Sequence, residues 1–315
     1  MKRRWTLLLA LLPLLIGLAV YGQLWRGWAR QFETTLAGWF PGQQVQVGGF
    51  PYRLETELAK VRLEHDGGVK LALMADLLRL NRGPWRPELT VVQGQGVTLS
   101  AAFAGLSPKV TADAGTASLK LDGERLARLS IVLPGARGNT GIGPDFTAER
   151  LEFHAREIKG LADPAGPRLP SRGQLVVGAA GFKLGQGAAI SLAGDLAIRG
   201  AARLDDYARW ASTGSVDAVL TGSDATGEIF KLEATIVPLN AGLRLAGTIV
   251  TICPISVQAA LNGTVPPAEQ RLRAPVRLAR ETSLPAGGAV ALSGVPADLA
   301  TRARRGQVPA CPRLR

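Results

Sequence analysis

Residues 52–73 read YRLETELAKVRLEHDGGVKLAL. Tyr52, Leu54, Thr56 and Leu58 alternate with Arg53, Glu55, Glu57 and Ala59. Val61, Leu63 and His65 resume against Arg62, Glu64 and Asp66, one step out of phase. A period of two turns one set of side chains toward a core and the other toward water, which is the pattern of a half-buried strand. The slip at Ala59-Lys60 predicts a bulge. Asp66-Gly67-Gly68 is a hairpin turn signal. Val69, Leu71 and Leu73 open the return strand.

The same alternation continues downstream, with glycines between apolar runs. Leu89 and Val91 read as paired with Val97, Leu99 and Ala101 around Gly94-Gln95-Gly96. Val110–Ala114 and Ala117–Leu121 flank Gly115, and Leu129–Leu133 precedes a loop from Pro134 to Pro144. Phe146–Ile158 reads as a strand. The proline-rich run Gly160–Arg172 is the best internal boundary, and after it the short glycine-spaced strands restart. Leu204–Ala211 reads as a short helix. Val257–Leu261, before Asn262-Gly263, is the last clear strand, and from Pro266 onward prolines and arginines point to a loosely ordered tail. Many short strands separated by turns indicate an all-β, mostly antiparallel architecture.

Upstream the character changes. Trp5 to Leu24 is an uncharged run behind Lys2-Arg3-Arg4. About 20 apolar residues suffice to cross a bilayer core. Leu24, Trp28, Phe32, Leu36 and Phe40 then recur every fourth residue, which places them on one helical face. Trp25, Trp28 and Trp39, beside Arg26 and Arg30, stand where an interfacial aromatic belt would lie. A cleaved signal ending near Val20-Tyr21-Gly22 is the alternative, but it would need no helix continuing beyond it. The reading is therefore an uncleaved single-pass anchor. The basic residues before it place the amino terminus in the cytoplasm and the bulk in the periplasm of an inner membrane.

The net charge is +12 over 315 residues. Basic residues dominate the first 30 positions and the arginine-rich end, and the middle is nearly neutral. That distribution excludes a body-wide nucleic-acid footprint. The chain has two cysteines, Cys253 and Cys311. An oxidising compartment would let them pair and pin the tail, and two free thiols are the other reading, since spacing does not establish geometry.

Chemistry-bearing constellations are sparse. His65 and His154 each lie in a strand pattern without a second ligand nearby, which suits a surface histidine better than a metal site. There is no G-x-S-x-G and no P-loop, and Gly138–Gly143 lacks the strand-to-helix setting of a dinucleotide site. Glu55 and Glu57 read as a solvated strand face, and Asp205-Asp206 as the start of a short helix. The expectation is a non-enzymatic protein without cofactor or metal.

Gly49-Phe50-Pro51-Tyr52-Arg53, after a membrane helix and an aromatic amphipathic turn, resembles the domain of unknown function 2125 family of alphaproteobacterial envelope proteins. The resemblance covers about 35–265 and includes a short helix ending at Trp210 and glycine-spaced strands through Gly247. The family carries no site residues to transfer. In physical terms Gly49 frees the backbone, Pro51 fixes an extended approach, and Tyr52 and Leu54 begin the buried face. More remotely the chain is similar to AsmA-type envelope proteins, whose curved sheets imply a lipid-accommodating groove.

The expected fold is mainly β: a transmembrane helix, then a long curved antiparallel sheet or groove with one or two short helices. Residues 1–24 form the stub and anchor, and 25–41 a juxtamembrane amphipathic helix. Residues 42–265 form a periplasmic β-rich domain, with halves 42–160 and 173–265, and 266–315 the Pro/Arg-rich tail. The expected role is binding of lipid or another apolar ligand, or envelope organisation. The expected partners are inner-membrane lipids, with an envelope protein as the alternative.

Overall fold

The computed structural model describes residues 2–123, 125–141, 143–158, 169–201, 207–239, 242–284, 293–303 and 309–315, with backbone alone for residues 2–10, 280, 284, 300 and 301. The helix α1 (Lys2–Trp39) leads into a meander of twelve strands. These are β1 (Leu54–Asp66), β2 (Lys70–Arg82), β3 (Leu89–Ala102), β4 (Lys109–Asp122), β5 (Arg125–Asn139) and β6 (Phe146–Glu157). They continue as β7 (Ser171–Leu184), β8 (Ile190–Arg199), β9 (Ser215–Asp224), β10 (Gly227–Leu239), β11 (Gly242–Thr251) and β12 (Val276–Leu284). The short helix α2 (Tyr207–Ala211) joins β8 to β9, α3 (Pro254–Asn262) follows β11, and α4 (Leu299–Arg302) lies near the end. All twelve strands form one antiparallel sheet in chain order. The halves 42–160 and 173–265 are therefore two runs of one sheet, joined where β6 pairs with β7.

The 52–73 alternation forms the first hairpin. Leu54, Thr56, Leu58 and Val61 are buried between exposed neighbours. The phase slip is a bulge: Ala59 pairs with Leu77, Val61 with Ala75, and Lys60 takes a positive φ of 51°.

Several readings of the sequence are corrected. The glycines at 94–96, 115 and 194 are not turns. They lie inside single strands of 14, 14 and 10 residues, β3, β4 and β8. The loop expected from Pro134 belongs to β5 as far as Asn139. Val257–Leu261 is helical, not extended. Pro254 occupies the first turn of α3, where its missing N–H costs nothing. The Ile255 and Ser256 amides donate to the buried Glu269 carboxylate at 2.9 and 2.8 Å, which satisfies the helix start. The described part of the tail is not loose: it supplies β12, and Leu272, Cys311 and Leu314 are buried. Asp205 and Asp206 lie outside the described residues.

Helix α1 packs Trp25, Ala29, Phe32, Leu36 and Phe40 on Leu54, Leu58, Val61, Ala75, Leu78 and Leu80. The four-residue stripe thus becomes a core seam, and Leu24 alone of the stripe stays exposed. Before that seam the helix is bare, and every residue from Leu11 to Val20 is exposed. Among the described residues no helix is long and apolar enough to cross a membrane. The first part of the expected span, Trp5–Ala10, and the basic residues Lys2, Arg3 and Arg4 lie outside the described side chains.

At the far end α3 and the tail pack Cys253, Val257, Leu272, Cys311 and Leu314 against Ile190, Ile229, Ile249, Val276 and Leu278. Arg271, 3% exposed, donates to Asp224 at 2.5 Å and to the Pro309 carbonyl at 3.0 Å. Burial alone would raise the Asp224 carboxyl. The Thr226 hydroxyl and amide and the Arg271 guanidinium outweigh it and hold the group below its ordinary range. A depressed folded value gives stability that is present above the unfolded carboxyl range and is lost as pH falls through the folded value. Asp224→Asn is expected to cost about 3 kcal/mol at neutral pH, because it leaves a buried guanidinium without its counter-charge. It should also remove this group's share of the acid sensitivity, read from urea unfolding at neutral and acidic pH.

Candidate functional site

The register places one residue of each strand in rows across the whole sheet. One row runs Thr56, Leu80, Val92, Ala117, Ile131, Phe153, Val177, Gly194, Leu220, Leu232, Ile249, Leu278. No charge interrupts it. The next row carries Leu119, Leu129, Ala155, Leu175, Leu196, Ala218 and Ala234 in β4 to β10. One residue over, the opposite face carries Glu55, Asn81, Ser118, Ser130, His154, Asp195 and Glu233, interspersed with Val91, Val176 and Val219. Period two in the sequence thus becomes one apolar and one polar face across twelve strands.

The apolar face is covered at its ends and packed along its middle strands. Helix α1 lies over β1 and β2, and α3 with the tail lies over the last strands and the lower end of β8. Between these a third buried cluster lies on the middle strands, with Val97, Ala112, Leu133, Phe146, Leu151 and Ala179 at its centre. Ile131, Phe153 and Val177 pack against it half-buried, and Leu119, Leu196, Val216 and Leu220 are half-buried as well. Among the described residues no helix packs across β4–β8. The partial shielding has a physical source in the twist. Each strand step rotates the sheet by about 20–25°, so from β1 to β8 the strands turn by roughly 150°. That brings the β1–β2 hairpin tip to the connection after β8. A Cβ added at Gly68 would lie 3.2 Å from the Tyr207 ring of α2, and burial raises the Tyr207 hydroxyl above its ordinary value.

Glycine on this face makes room for large neighbours. A Cβ at Gly222 would stand 2.2 Å from the Phe230 ring, its cross-strand partner. Phe230 therefore lies over the glycine, and the row stays flat and apolar.

The polar face is laced with ion pairs and hydrogen bonds. Arg79 meets Glu57 at 2.6 Å, Arg199 meets Asp217 at 2.6 Å, and Gln174 donates to Asp195 at 2.8 Å. Glu152 accepts from Arg150 and approaches His154 Nε2 at 3.2 Å. The His154 contact first, and Arg150 with it, holds the Glu152 carboxyl below its usual value. His65 and His154 lie on β1 and β6, so the sheet does not bring them together. Cys253 and Cys311 are joined in a disulfide. Glu269 lies within 4.8 Å of both sulfurs, but these are bonded to each other and the carboxylate is engaged by amides.

The motif Gly49–Arg53 meets α1. Gly49 has φ +93°, and a Cβ there would fall 2.8 Å from the Arg53 carbonyl oxygen, so only glycine fits. Tyr52 is 72% exposed, so it does not begin the buried face; Leu54 does. Tyr21 donates to the Pro51 carbonyl at 2.5 Å and Trp25 Nε1 to the Arg53 carbonyl at 3.2 Å. Phe50 stands edge-on to Trp25 at 5.5 Å, and Trp85 from the β2–β3 connection stacks on Tyr21 at 6.1 Å. Of the three tryptophans expected in a belt, Trp25 and Trp28 join this group, Trp28 edge-on to Trp85 at 6.4 Å, and Trp39 packs on the seam. Phe50 and Trp85 were not legible as partners of α1, because nothing local ties two loops to a helix turn.

A family model described as an uncharacterized protein conserved in bacteria, domain of unknown function 2125, matches residues 34–250. The chain belongs to that family. No curated protein and no solved structure matches it. The match runs from the α1 seam to the end of β11, and the disulfide, α3 and the tail lie beyond it.

Proposed function

We propose, for this member of the domain of unknown function 2125 family, a non-enzymatic role: holding a lipid or another long apolar ligand along the apolar face of the sheet. The observation that carries the reading is the unbroken apolar row from Leu80 to Leu278, whose central residues Ile131, Phe153, Val177 and Leu220 stay half-buried. A soluble protein keeps such a face against water only at a cost, and an acyl chain would remove that cost. The ligand needs no charge recognition along this row, because the row itself carries no charge. Chemistry at the face is disfavoured, since no titratable cluster lines these rows.

The second part of the proposal is location. The bare stretch Leu11–Val20 continues an uncharged run that begins at Trp5, and a helix apolar all round belongs inside a larger protein or a membrane. We read it as an inner-membrane anchor with a cytoplasmic amino terminus and the sheet in the periplasm, where Cys253 and Cys311 would be oxidised.

Native mass spectrometry of the full chain extracted from membranes tests the ligand reading. Bound phospholipid that survives desolvation is the expected result. A stoichiometric envelope protein with no lipid would replace the groove reading with a scaffold.

A further inference from the structure

We propose that the loop Gly49–Arg53 and the β2–β3 connection at Trp85 form a seat that holds the sheet against the headgroup layer of a lipid bilayer. This rests on the anchored reading above and adds a second membrane contact, made by the sheet itself. Helix α1 leaves its bare stretch at Tyr21, and there two separate loops of the sheet close on it. Their inward contacts fix the position: Pro51 and Arg53 carbonyls take the Tyr21 and Trp25 donors, and Pro84 is buried under the turn. Their outward surfaces stay bare. Trp85 is 62% exposed, Tyr52 72% and Phe50 49%.

In water such a group would gain by turning its rings inward. The loops instead pack one side of Phe50 and Trp85 on Tyr21, Trp25 and Trp28 and leave the rest bare, with Tyr52, at the level where the apolar helix ends. Aromatic side chains with one polar tip favour the boundary between acyl chains and headgroups. Arg26, which lines one cleft with Trp25 and Phe50, and Arg86, next in the chain to Trp85, are both exposed, so their guanidinium groups can reach lipid phosphates. The same open cleft, between Leu15, Leu18, Ala19 and Phe50, extends this surface up the helix. A protein groove would cover one side of α1, but residues Leu11–Val20 are exposed on all sides and continuous with the seat. A bilayer is the occupant that matches both.

The test uses the full chain in phosphatidylcholine–phosphatidylglycerol vesicles that carry brominated acyl chains. The Trp85 signal is the difference between wild-type and Trp85→Phe emission, and the exposed position lets the variant fold. That signal is expected to fall roughly twofold with bromines near the headgroup, and less with bromines at the chain end. A Trp85 signal untouched by either lipid, in protein that stays with the vesicles after an alkaline carbonate wash, overturns the seat and leaves the anchor standing. Release of the protein by carbonate overturns the anchor and the seat together.

Discussion

Val177→Asp is expected to abolish the lipid binding proposed for the apolar face. Val177 lies in the middle of the apolar row, between Phe153 of β6 and Gly194 of β8. It is half-buried and packs against the cluster of Leu133, Leu151 and Ala179, so a carboxylate there keeps partial access to water, and far-ultraviolet circular dichroism checks that the variant stays folded. When an acyl chain lies on the row, the same carboxylate loses its hydration without gaining a partner. Burying an unpaired polar group costs about 2–4 kcal/mol, which lowers the affinity for lipid by at least roughly thirtyfold. Val219→Asp is the matching control. It adds the same charge on the polar face, beside Asp195 and Glu233, where Val219 is already 39% exposed. Native mass spectra of the two variants separate the faces. Equal lipid loss from both would mean that the charge acts elsewhere, and unchanged lipid in Val177→Asp would remove the row from the binding surface.

Cys311→Ser is expected to carry the largest stability effect. The disulfide closes a loop across a sequence separation of 58 and ties the last residues to the start of α3. In the chain-entropy account, a closure of that length contributes about 4 kcal/mol. Its loss also loosens what the clip holds in place. The Cys311 amide donates to the Glu269 carbonyl at 2.8 Å, and Ala188 donates to the Arg313 carbonyl at 2.6 Å. Urea unfolding followed by far-ultraviolet circular dichroism should show the midpoint falling in Cys311→Ser, and wild type with reductant should match the variant. A midpoint unchanged by either would show that the buried packing of Leu272 and Leu314 holds the tail unaided.

Local signals carried much of the architecture and failed at identifiable points. Alternation over Tyr52–Leu73 located β1, its bulge and the first hairpin, because strand faces follow a period of two without tertiary help. Glycine misled the reading of strand length. In Gly94, Gly115 and Gly194 a missing side chain resembled a turn, but each glycine sits within a strand on the apolar face. Gly94 would meet Leu78 and Val97, and Gly115 would meet Leu133. Those glycines answer to cross-strand neighbours that are distant in sequence. The apolar run Val257–Leu261 was ambiguous for the same reason. Its helical state depends on Glu269, which satisfies the first amides from outside the segment.

The aromatic group at the motif shows where local reading stops. Gly49–Arg53 was recognisable as a unit, and its glycine requirement follows from backbone geometry alone. That Phe50 and Trp85 converge on Tyr21 depends on α1 docking over β1, which is set by packing between residues far apart in the chain.

The sequence by itself determined a mainly β chain behind an apolar amino-terminal helix, the first hairpin with its bulge, and the family. Each depends on periodicity or on a contiguous motif. Only the tertiary structure decided that the strands form a single twelve-stranded sheet and that the tail is clipped to its end by Cys253 and Cys311. It alone decided that one row of side chains crosses that sheet from edge to edge without a charge. Register, twist and cross-strand pairing are relations between segments, and no single segment encodes its partner.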